Sequence, residues 1–274
     1  MSVSDTSAHA SESASTTTGA AASAAELPGQ RRSDSASRAV AGHQAVREAW
    51  TVLHRVVAEL PDPAYRASST LPGWTRAHVV SHLARNADAL VNLMTWARTG
   101  VEHPAYASRA DRNADIADGA GRLVQVIRED LYAACDRFHT AAARLTDADW
   151  GVTVLHPSGA PISAAEVPEL ALSEAWNHLV DLDAGITYAD IPAGHLDRLL
   201  DLAVRPRRAR GAGTPLRLVA DLPDGRQRTW ELPIATPTSS RELSGPAAAV
   251  LGWLMGRTPG DKLAGTPPEL DAWA

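Results

Sequence analysis

"LPGWTRAHVVSHLARNADALVNLMTWARTG", residues 71–100, reads as a helix with both ends marked. Thr75 offers a side-chain acceptor at the N-cap position, and Gly100 supplies the residue type that closes a helix in the left-handed conformation. Between them the apolar residues recur at steps of three and four, the period of a helix with one buried face. Such a segment is too long for a strand and long enough to form one wall of a bundle. His78 and His82 lie four residues apart within it, so both project from the same face.

The same period appears on both sides. "AVAGHQAVREAWTVLHRVVAEL", residues 39–60, is an amphipathic pattern stopped by Pro61-Asp62-Pro63. A third helix is expected over about Gly121 to Leu145, and a fourth from Ser163, where Ser163 and Glu166 form a capping box. The connections 101–120 and 145–162 are long for neighbouring helices, which predicts functional loops or loops that wrap the bundle. After Gly185 the pattern changes. A helix around 194–204 is followed by "PLRLVADL" and "RQRTWELPI" on either side of Pro223-Asp224-Gly225, a hairpin signal, and "SGPAAAVLGWLMGR" reads as a last helix. The expected organisation is a disordered tail over 1–38, rich in Ser, Ala and Thr; a metal-binding four-helix bundle over 39–185; and a C-terminal α+β domain over 186–274. The fold class is mainly α with an α+β part.

Composition narrows the function. The chain has 274 residues, 45% hydrophobic and 21% charged, enough for a sizeable core. A net charge of -6 gives no general attraction to nucleic acid or anionic lipid, and no apolar run is long enough to cross a bilayer. A single cysteine, Cys135, excludes an internal disulfide and multi-cysteine zinc knuckles, and fits a cytoplasmic location. Lys262 is the only lysine and lies near the C-terminus, which disfavours Schiff-base chemistry. The arginine bias points to a GC-rich genome. No obligate protein partner is expected.

The chemistry concentrates in "SEAWNHLVDLDAG", residues 173–185, within the fourth helix. Glu174 and His178 are four apart and Asp181 three further on, so the three share a face. One carboxylate and one imidazole need a third ligand, which His78 or His82 can supply from a facing helix. Two imidazoles and a carboxylate suit zinc and leave a fourth position open, the arrangement of a catalytic site. The plain alternative is that Glu174 and His178 are only a helix-face pair.

The 71–100 stretch, followed by "PAY" and "RNADI", resembles the N-terminal helical domain of mycothiol-dependent maleylpyruvate isomerases, and "SEAWNHLVDL" resembles that family's second signature. The resemblance runs from about residue 40 to the C-terminus. It implies a DinB-like four-helix bundle with a small C-terminal α+β domain resembling sterol-carrier proteins. It also implies a zinc site made of His82, Glu174 and His178, a catalytic Arg257 from the small domain, and Zn2+ and mycothiol as cofactors. His78 then becomes structural, and Asp181 orients a ligating histidine.

The implied reaction is cis-trans isomerisation of maleylpyruvate to fumarylpyruvate in gentisate degradation. A thiolate adds to the alkene, the resulting single bond rotates, and expulsion restores the double bond and the thiol. Arg257 would bind a substrate carboxylate or the enolate. Cys135, in an alanine-rich helical stretch, reads as core rather than as the nucleophile. Trp74, Trp96 and Trp176 read as bundle core, while Arg85 and Asn86 are candidates for the mouth of the site. Two other functions share these features: a mycothiol S-transferase on the same scaffold, and a non-catalytic zinc-binding regulator with a closed coordination shell.

Overall fold

The computed structural model describes residues 28–209, 214–234 and 241–270. Helices predominate, with a small sheet towards the C-terminus. Four long helices make the bundle: α1 (Pro28–Glu59), α2 (Arg76–Thr99), α4 (Val124–Ala142) and α6 (Val167–Asp181). Helix α2 lies against α4 and α6, and α1 against α6. Its ends are those the residues specify: Thr75 is the N-cap and Gly100 closes it at φ 69. The buried stripe Val79, Val80, Leu83, Leu90, Leu93 and Met94 joins Leu53 and Val57 of α1, Leu131 and Phe138 of α4, and Leu172 and Leu179 of α6 in one core.

Helix α1 begins at Pro28 rather than near Ala39, so the part of the expected tail from Pro28 onward is helical; residues 1–27 lie outside the described residues. Proline suits a first helical turn, and Ala36 and Ala39 are buried. Small side chains can pack where no large apolar residue marks the helix.

Neither long connection is a plain loop. Residues 109–121 form α3 (Arg109–Gly121), capped by Ser108, whose hydroxyl accepts from the Asp111 amide at 3.0 Å. It buries only Ile116, Gly119 and Ala120, too few apolar groups to show a period. A Cβ on Gly119 would come within 3.1 Å of the Ser81 hydroxyl, so the missing side chain is what lets α3 close on α2. The second connection holds a single turn, α5 (Asp147–Trp150), and a short antiparallel pair, β1 (Thr153–Leu155) with β2 (Pro161–Ser163). The Ser163–Glu166 capping box is present and opens a 3-10 turn that leads into α6.

Beyond α6, Asp183 and Gly185 take positive φ (49 and 87) and turn the chain. Helix α7 (Ala193–Ala209) then packs on α6, on β4 (Gln227–Ile234) and on α8 (Ala247–Leu254). The hairpin of β3 (Thr214–Asp221) and β4 (Gln227–Ile234) turns at Gly225, at φ 85. The stretch expected to open the last helix is instead a strand, β5 (Glu242–Pro246), parallel to β3, and the helix α8 starts only at Ala247 and runs to Leu254. Proline at 246 favours extended backbone before it, and Gly245 sits where a Cβ would press on Lys262 and Leu263. The sheet order is β4-β3-β5.

Candidate metal centre

Helices α2 and α6 meet at an end where several bonds fix their relation. The Thr70 amide donates to the Asp181 carbonyl (3.0 Å), and the Arg76 guanidinium donates to the carbonyls of Leu182 (2.5 Å) and Asp183 (2.8 Å). These bonds satisfy carbonyls at the C-terminal end of α6 and place a positive charge there. Thr70 and Arg76, on either side of the "LPGW" segment, therefore fasten the start of α2 to the end of α6. Two turns into α2, His82 faces α6.

The structure brings His82, Glu174 and His178 together, with one ligand atom from each lying within 4.8 Å of the others. His82 Nε2 is 2.9 Å and His178 Nε2 3.3 Å from the same oxygen, Oε2 of Glu174. The two imidazoles stand edge to face, centroids 4.6 Å apart at 89°. Two nitrogens and an oxygen thus converge on one point from different directions. His82 is buried, while the Glu174 side chain keeps 34% of its surface exposed, leaving an approach from solvent. The donor set is that of a divalent metal site with an open position.

Asp181 is fully buried behind His178, its Oδ2 2.9 Å from Nδ1, close enough for strong attraction although the N–H direction is not well aligned. The same carboxylate accepts from Arg257 Nη2 (2.9 Å) and Nε (3.2 Å), and from the Thr70 hydroxyl (3.1 Å). Arg257 also donates to the Met255 carbonyl at 2.8 Å. The small C-terminal part is thereby linked to the bundle site through Asp181.

The protonation of these groups follows from this geometry. Burial is the main influence on His82 and lowers its pKa, only partly offset by Glu174. Burial acts the same way on His178, but the carboxylates of Asp181 and Glu174 outweigh it and raise the pKa to about 9. Glu174 is held well below the usual carboxylate range: burial opposes ionisation, and the two imidazoles prevail. Asp181 falls to about 2, since His178 and Arg257 overcome its burial. An acidic carboxylate between two imidazoles, with a second carboxylate behind one of them, is poised to exchange a proton for a metal ion.

The other residues singled out in the sequence sort clearly. His78 is outside the cluster: its Nδ1 lies 2.7 Å from the Thr75 hydroxyl and accepts from the Thr75 amide at 3.3 Å, completing the capping box of α2. Trp176 is buried and donates to His195 (3.1 Å), which contacts Glu48 (3.1 Å), joining α6, α7 and α1. Trp96 packs half-buried on the core, and Trp74 sets its ring edge-on to His82 at 5.5 Å. Arg85 turns away from the centre to a two-pronged bond with Asp130 of α4 (2.7 and 2.8 Å). Asn86 is buried. Cys135 is buried in α4, and burial pushes its thiol pKa far up.

Three neighbours were missed. Arg112 of α3 donates to His82 Nδ1 at 3.2 Å and lies over the Tyr106 ring at 5.6 Å. Tyr106 and His156, the latter in the β1–β2 turn, both feel the charge of Glu174. All three sit in connections read as loops. The "PAY" and "RNADI" stretches were the available signal.

Fold and site together define a helical-bundle protein with a two-histidine, one-carboxylate cluster of the kind that binds a divalent metal. A family model described as "Mycothiol maleylpyruvate isomerase N-terminal domain" matches residues 46–183. A crystal structure of the mycothiol-dependent maleylpyruvate isomerase is similar over 90% of this chain and 98% of its own, at 30% identity and a TM-score of 0.71. A crystal structure of a histidine-to-alanine mutant of the mycothiol-dependent maleylpyruvate isomerase gives the same identity and coverage, with a TM-score of 0.70. No curated protein sequence matches the chain. The chain belongs to the mycothiol-dependent maleylpyruvate isomerase family, a family of enzymes. Among the described residues, no helix is long and apolar enough to cross a membrane.

Proposed function

We propose that this protein isomerises maleylpyruvate to fumarylpyruvate with mycothiol as a catalytic thiol, serving gentisate degradation in the cytoplasm. The observation that carries the reading is the convergence of His82 Nε2, His178 Nε2 and Glu174 Oε2 on one point open to solvent, on the scaffold of this family. In this reading the helical bundle holds the metal, and the α+β part that follows α6 is a sterol-carrier-like domain that completes the site.

His82, Glu174 and His178 fit zinc by donor type and by their mutual distances. Zinc bound there would keep the mycothiol sulfur as a thiolate at neutral pH, whereas a free thiol with a pKa of about 8.5 is mostly protonated. The rest falls to the chain's own groups. Asp181, 2.9 Å from His178 Nδ1, attracts that side of the ring and biases its orientation. Arg257 holds Asp181 ionised and uses at least three N–H bonds to do so and to reach Met255. Its remaining donors are available to charge developing on a substrate oxygen, and its guanidinium lies near enough to feel Glu174. Trp74 packs its ring edge-on against His82.

The test is turnover of maleylpyruvate with and without mycothiol, with the thiol titrated at the end. Fumarylpyruvate formed with no net thiol loss supports the reading. Consumption of one thiol per product would make the protein an S-transferase, and equal turnover without thiol would refute a thiol mechanism.

A further inference from the structure

The bond between Arg112 and His82 constrains what both can do. A guanidinium has only donors, so His82 Nδ1 must accept from Arg112 and carry no proton. The ring's single proton then lies on Nε2, facing the Glu174 oxygen at 2.9 Å. A metal on Nε2 needs the lone pair there and sends the proton to Nδ1. Nδ1–H and a guanidinium N–H would then point donor to donor. Metal ligation by His82 and its bond to Arg112 therefore exclude each other.

Arg112 has nowhere equivalent to go within the chain. It also donates to the neighbouring Asn113 side chain (3.0 Å), and among the described residues it has no carboxylate partner. Beneath it lies Tyr106, whose buried hydroxyl is near Arg112 and Asn86 but in hydrogen-bond geometry with neither. A released cation and an unsatisfied hydroxyl stand side by side at the edge of the three-ligand cluster. Both lack an anionic oxygen.

We propose that Arg112 and Tyr106 form a carboxylate subsite beside the metal, opened when the metal takes His82 from Arg112. The inference rests on the metal-site reading above and adds the residues that hold one end of an anionic substrate. Arg257, spent largely on Asp181, is left for the opposite end. The subsite lies on α3 and the segment before it, so substrate would be gripped between the bundle wall and this helix.

The experiment compares wild type, Arg112→Gln, Arg112→Lys and Tyr106→Phe by zinc content, far-ultraviolet circular dichroism and calorimetric titration with maleate, a small cis dicarboxylate. We expect one zinc per chain and an unchanged helical spectrum in all four, with the maleate dissociation constant raised at least tenfold in Arg112→Gln, less in Arg112→Lys, and several-fold in Tyr106→Phe. Nitrogen chemical shifts of the His82 ring give a second readout, with the proton on Nε2 before zinc and on Nδ1 after it. Unchanged maleate affinity in Arg112→Gln, loss of zinc from that variant, or an Nδ1 proton already present before zinc would each overturn the subsite. Failure of the wild type itself to bind zinc would instead overturn the metal-site reading.

Discussion

Replacing Asp181 by Asn removes a charge without removing volume, and the structure sets how much should follow. Asp181 is fully buried, and its pKa lies at about 2 against the usual 3.8. At about 1.4 kcal/mol per pKa unit, that displacement corresponds to roughly 2–3 kcal/mol by which attraction to His178 and Arg257 exceeds the cost of burying the carboxylate. A carboxylate behind a ligating histidine is worth about 10–100-fold in metal affinity, or ~1.4–2.8 kcal/mol, which agrees with the first figure. Asp181→Asn should therefore raise the zinc dissociation constant about 10–100-fold in competition with a chromophoric chelator. It should also lower the unfolding free energy of the zinc-free protein by about 2 kcal/mol, because Arg257 loses its counter-ion. Helix content should not change. Identical zinc affinity and an identical denaturation midpoint in the variant would refute the role assigned to Asp181.

Three further outcomes follow from named contacts. His82→Ala should abolish stoichiometric zinc binding, whereas His78→Ala should keep it and lose only about 1 kcal/mol of stability with the capping box; metal analysis and thermal unfolding separate them, and zinc loss from His78→Ala would contradict the assignment. Cys135→Ala should retain turnover with mycothiol at a cost of about 1 kcal/mol in stability, and abolished turnover would return the nucleophile to the protein. His139, whose pKa is lowered to about 4 by burial first and then by His43 and Arg47, stays neutral in the fold at a pH where the unfolded chain, with a histidine near 6.5, takes up a proton. The contribution of His139 should therefore be full above pH 6.5 and be lost as pH drops towards 4; a His139→Phe variant should lose less stability between pH 7 and 5 in urea denaturation, and equal losses would refute the assignment.

The parts of the fold legible in the sequence were those with local signals. Thr75 and Gly100 mark α2 because caps are chosen by the backbone at those two residues, and Ser163–Glu166 marks the entry to α6 for the same reason. The pairing of Glu174 with His178 is equally local, being one helical turn. Helix α3 was not legible, since it buries only the side chains of Ile116 and Ala120 and packs through Gly119, so no apolar period forms. Strand β5 was hidden because its partner, β3, is distant in the chain and parallel to it. The choice between His78 and His82 could not be made from spacing alone, for both lie on one face. Only the approach of α6, fastened through Thr70 and Arg76, distinguishes the residue that meets Glu174 from the one that caps its own helix. Arg112 lies on α3 and Tyr106 just before it, so their place beside His82 depends on a helix that has no sequence signal of its own.

X-ray absorption at the zinc edge of the loaded protein, before and after mycothiol, tests the central claim most directly. The account predicts a shell of two imidazole nitrogens and light oxygen scatterers that gains one sulfur at about 2.3 Å when the thiol is added. Four protein ligands beforehand, or a shell that mycothiol leaves unchanged, would contradict it.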